Sequence, residues 1–150
     1  SLRMSTFNIQ WSSARPDSLS QERYAQFFAL IHQGQVAFLG KAYREEIESL
    51  IPACLVHLNL DPLRTTVHLG RIVGVGQGHI SNRAVDAILS ALVFAKKPSL
   101  NRVGKYRHEP VMDMQVSNVG LPGLPNQLRV QDGCVIVAAK PSAVYSVPAC

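Results

Sequence analysis

The chain has 150 residues, of which 47% are hydrophobic and 17% charged, with a formal net charge of +5. That apolar content fills one continuous core and excludes a disordered chain, and no apolar run approaches the ~20 residues of a membrane-spanning helix. A basic segment followed by an apolar stretch is missing from the start, so no secretory signal is expected, and the positive balance favours contact with something anionic.

Residues 1–3 read as an expression-tag remnant ahead of an initiator Met4, which leaves 4–150 as a single α+β domain. Phe7-Asn8-Ile9-Gln10-Trp11 alternates apolar and polar residues and predicts a short edge strand, ended by the break from Ser12 to Pro16. Ser18 followed three residues later by Gln21 is a capping-box pattern. Tyr24, Phe27, Phe28 and Ile31 then recur at helical spacing and predict an amphipathic helix that ends at Gly34. Tyr43, Ile47, Leu50 and Ile51 predict a second helix that stops at Pro52, with Glu45, Glu46 and Glu48 on a solvated face.

After Pro52 the period changes to two. Val56, Leu58 and Leu60 alternate with His57 and Asn59, predicting a hairpin across Asp61-Pro62 whose second arm runs from Thr65 to Val73, with Gly70 as a bulge. Ser81 or Asn82 caps a third helix, which carries Val85, Ile88, Leu89, Leu92 and Val93 and ends at Lys96-Lys97-Pro98. A strand follows over 111–116, and Asp132-Gly133 joins 127–130 to 134–139 as a terminal hairpin. The expected fold is α+β: a single compact domain with about three helices packed on antiparallel β-hairpins. Cys54, Cys134 and Cys150 are odd in number and widely separated, the pattern of reduced thiols in a cytoplasmic protein, with no disulfide framework.

His57, His68 and His79 recur at eleven-residue intervals, but each falls on a polar phase or a turn without cysteines at ligand spacing, so no metal is expected. Gly74, Gly76 and Gly78 form G-x-G-x-G between a strand and a helix, where backbone N–H groups hold phosphates; the spacing is neither that of a dinucleotide loop nor that of a P-loop. Arg71-Ile72-Val73-Gly74-Val75-Gly76 resembles the R-x-x-G-x-G stretch that cradles the acyl-CoA pyrophosphate in N-acetyltransferases of the GNAT family. The resemblance covers this one motif. It implies a small enzyme holding an acyl-CoA-like cofactor at Arg71, Gly74, Gly76 and Gly78, although that family's further strand and Tyr-bearing helix are not apparent between Lys96 and Leu121.

The basic connector behind the third helix is the most suggestive feature. Lys96, Lys97, Arg102, Lys105, Arg107 and His108 surround Tyr106, with no acid until Glu109. Lys96 and Lys97 also complement the dipole at a helix C-terminus, whereas Arg102, Lys105 and Arg107 suit phosphates and Tyr106 suits base stacking. The sequence therefore leads to a non-enzymatic binding or structural protein without a cofactor. It would self-associate as a homo-oligomer and bind RNA or single-stranded nucleic acid through Lys96, Lys97, Arg102, Lys105, Tyr106, Arg107 and His108. The alternatives are the cofactor-binding enzyme, a protein-binding inhibitor or assembly factor, and a peripheral protein on an anionic membrane surface.

Overall fold

A computed structural model describes residues 4–15, 19, 24–74, 79–105, 112–140 and 143–146. The elements in chain order are β1 (Ser5–Ala14), β2 (Phe27–His32), β3 (Gln35–Lys41), α1 (Ile47–His57), β4 (Thr65–Val73), α2 (Asn82–Lys96), β5 (Met114–Val119), β6 (Gln127–Gln131), β7 (Cys134–Lys140) and β8 (Ala143–Ser146). The eight strands among the described residues form one sheet in the order β3-β2-β4-β1-β5-β6-β7-β8. Pairing is antiparallel except between β1 and β5, which run parallel. The α+β class holds broadly, but the expected three helices on antiparallel hairpins are replaced, among the described residues, by two helices on a single mixed sheet.

The missing helix is β2. Phe27 and Ala29 enter one core cluster, Phe28 and Leu30 the other, so the strand is buried on both faces. A strand covered on both sides is a continuous apolar run and does not alternate, and such a run satisfies helical spacing equally well. Gln33 and Gly34 close the β2–β3 hairpin with φ of 53° and 75°, the positive pair that a primed two-residue turn requires.

The expected hairpin over 56–73 is also replaced. Pro52 does not stop α1, which runs on to His57. Proline removes one intrahelical N–H on the exposed side, while Ile47, Ile51 and Leu55 hold the opposite stripe buried. Val56 is 81% exposed, so the alternation after Pro52 is the last turn of a helix. Asn59 adopts φ 57°; its N–H donates to the Val56 carbonyl at 3.1 Å and the Leu60 N–H to the Leu55 carbonyl at 2.9 Å. This is a Schellman ending. β4 then pairs with β2 and β1.

β1 is not an edge strand: it lies between β4 and β5. Gly70 faces both Trp11 and Phe27 across the ladders and forms no bulge. A Cβ there would lie 2.9 Å from the Trp11 ring, so the glycine leaves the room that the indole fills.

Two other local signals hold, whereas Ser18 and Gln21 of the capping-box pattern lie outside the described residues and the strand expected over 111–116 is β5, shifted to Met114–Val119. The Ser81 hydroxyl accepts the Ala84 N–H at 3.1 Å and caps α2, while Asp132 and Gly133 (φ 51° and 81°) close the β6–β7 hairpin. α2 buries Val85, Ile88 and Leu92 against one sheet face, each contributing about 1.5–3 kcal/mol. α1 packs on the opposite face with Val67 and Leu69. Under β1, β5 and β6 that opposite face carries exposed or half-exposed polar side chains, among them Asn8, Gln10, Ser117 and Arg129. Among the described residues no helix is long and apolar enough to cross a membrane. Cys54 is a free thiol, but Cys134 is disulfide-bonded, which corrects the expectation that no disulfide forms.

Candidate functional site

The segment after α2 folds back along the outer edge of β3. The Leu100 N–H donates to the Ala37 carbonyl at 2.8 Å. Asn101 then grips one residue of the strand with both ends of its amide: Oδ1 accepts the Leu39 N–H and Nδ2 donates to the Leu39 carbonyl, each at 2.9 Å. A side chain thus satisfies the unpaired backbone that an edge strand leaves open.

This grip places residues 99–103 opposite the C-terminal end of α1. Between them lies an open cleft of about 780 Å³, with Phe38 of β3, Cys54, His57 and Asn59 from α1 and its ending, and Arg102 of the connector in its walls. Leu58, Leu100 and Val103 add apolar surface, and Val103 is 85% exposed at this position. No carboxylate is among the described residues lining the cleft.

The α1 carbonyls of Cys54, Leu55 and Val56 accept the N–H groups of Leu58, Leu60 and Asn59, which moderates the negative end of the helix here. Arg102 is exposed and has no carboxylate partner among the described residues. The Phe38 ring packs against Phe28, with centroids 5.8 Å apart, so its position is fixed by the core. Burial pushes the Cys54 thiol above its ordinary value, which disfavours the thiolate and argues against nucleophilic chemistry in the cleft.

Among the described candidates, Lys96, Lys97 and Lys105 are not in the lining of the cleft that holds Arg102. Lys97 is the C-cap of α2 at φ 52°; its Nζ donates to the Phe94 carbonyl at 2.6 Å and lies 4.1 Å from the centre of the Phe94 ring. Desolvation lowers its pKa, as expected of an ammonium turned back onto its own helix. Lys96 reaches toward Gly123 in the β5–β6 connection, and Lys105 is half-buried. Tyr106, Arg107 and His108 lie outside the described residues.

At the glycine-rich segment, Arg71 on β4 donates to Ser12 Oγ at 3.1 Å and Gly74 follows the strand with φ 83°, while Gly76 and Gly78 lie outside the described residues. Phe38, Asn59, Ser99 and Asn101 are among the cleft residues that sequence reasoning missed, and His57 was weighed there only as a metal ligand. They come from three separated segments, and no local motif marks their meeting. Compared with family models, curated proteins and solved structures, the chain shows no match in any of the three.

Proposed function

We propose that this protein binds single-stranded nucleic acid in the cleft between α1 and the connector, without performing chemistry on it. One observation carries the reading. The cleft combines a fixed aromatic ring, Phe38, with an exposed guanidinium, Arg102, and neutral hydrogen-bonding groups at Asn59 and Ser99, and its described lining holds no carboxylate. A ring to stack a base, a cation for phosphate and neutral polar groups for base edges are the elements of single-strand recognition. Stacking and phosphate contact read no sequence by themselves, so sequence preference is weak and salt dependence strong. For self-association, β8 is the candidate edge for pairing with a second copy, because the outer edge of β3 is occupied by Leu100 and Asn101.

The test is fluorescence anisotropy with labelled RNA and DNA hexanucleotides at two salt concentrations. Arg102→Ala is expected to weaken binding roughly tenfold and to reduce the salt slope by about 0.7, the share of one phosphate contact on a single strand. Lys97→Ala is expected to lower stability and leave affinity nearly unchanged, since its ammonium is engaged with Phe94. No binding at low salt removes the reading. Binding to acidic vesicles but not to oligonucleotides moves the cleft to a membrane surface, and thermal stabilisation by acetyl-CoA alone moves attention to Arg71 and Gly74.

A further inference from the structure

We infer that the cleft is a one-nucleotide site, which takes a single unstacked base with its phosphate and not a run of bases; this rests on the nucleic-acid reading above. The equipment of the cleft is small. Among its described lining residues Phe38 supplies the one benzyl ring, His57 an imidazole and Arg102 the one guanidinium, with no lysine beside them. A track for several nucleotides needs ring faces and cations repeated along the strand.

The polar complement is equally small. Asn101 lines the cleft and spends one amide N–H and one lone pair of its oxygen on Leu39, which fixes it as part of the wall. The side chains of His57, Asn59 and Ser99 remain, enough to meet the edge of one base. Leu58 and Leu100 add apolar surface to the lining. A volume of about 780 Å³ falls within the ~300–1,000 Å³ of small-ligand sites. Turning a base into such a pocket costs least where it is already unpaired, so strand ends and single strands are preferred to duplex.

The experiment measures direct calorimetric binding of the four nucleoside monophosphates, a free nucleoside and inorganic phosphate, beside anisotropy with oligonucleotides of two to eight residues. At least one monophosphate is expected to bind with Kd on the order of 1 mM or tighter, and the nucleoside and inorganic phosphate at least tenfold more weakly. Phe38→Leu, which keeps an apolar side chain on Phe28, is expected to weaken the monophosphate at least fivefold and leave inorganic phosphate unchanged. Oligonucleotide affinity is expected to rise with length only as the number of equivalent nucleotides rises. Oligonucleotide binding without monophosphate binding, or affinity that climbs about tenfold with each added pair of nucleotides, overturns the one-nucleotide site and leaves strand binding standing. Monophosphate binding without oligonucleotide binding keeps the site and removes the strand as its ligand; binding of neither overturns both.

Discussion

At the residue scale, the most exacting contacts are buried polar ones. Asn118 is 3% exposed; its Oδ1 accepts the Trp11 indole N–H at 3.0 Å and its Nδ2 donates to the Pro125 carbonyl at 3.0 Å. It ties β1, β5 and the β5–β6 connection together, and its bond to Trp11 is buried. Asn118→Ala strands the indole donor and leaves a small void, with an expected loss of about 2–4 kcal/mol. Urea titration measures it, and Trp11, the chain's single tryptophan, reports the transition by its own fluorescence. An unchanged midpoint would show that the indole finds another acceptor. Trp11 was legible in the sequence as an apolar strand position, but its partner 107 residues away was not, because nothing local to either residue encodes that contact.

At the scale of elements, Asn101 decides where the connector lies. Asn101→Ala releases both bonds to Leu39 and reopens the edge of β3, with an expected stability loss of about 1–3 kcal/mol. Hydrogen exchange at Leu39 and over 100–103 is expected to accelerate while the β6–β7 hairpin stays protected. Binding is expected to weaken because Arg102 loses its fixed position. Equal acceleration everywhere would mean that Asn101 stabilises the whole fold and does not position the connector. Elements with local chemistry were readable in the sequence: the Ser81 cap of α2 and the Asp132-Gly133 turn act within a few residues. β2 was not, since burial on both faces erases the period-two signal, and α1 was cut short because Pro52 costs a helix less when its opposite stripe is packed. For the site, Arg102 was legible as a charge in a basic segment, whereas Phe38, His57 and Asn59 join it only through the fold.

At the scale of the whole molecule, stability carries a signature of His68. It is half-buried on β4, its Nδ1 has no hydrogen-bond partner among the described residues, and burial lowers its pKa from 6.5. As pH falls below 6.5 the unfolded chain takes up this proton before the folded one does, so stability falls on acidification through that window and is level with respect to His68 above it. The expected result is a lower urea midpoint at about pH 5.5 than at about pH 7.5, with a smaller difference in His68→Asn, whose amide does not titrate. An equal difference in both proteins would assign the slope to other groups. The claim on which function depends is that ligand enters between α1 and the connector. An amide NMR titration with an unlabelled hexanucleotide tests it most directly: perturbations are expected at Phe38, His57–Asn59 and Ser99–Val103, and perturbations confined to the polar sheet face around Asn8, Gln10 and Arg129 would contradict it.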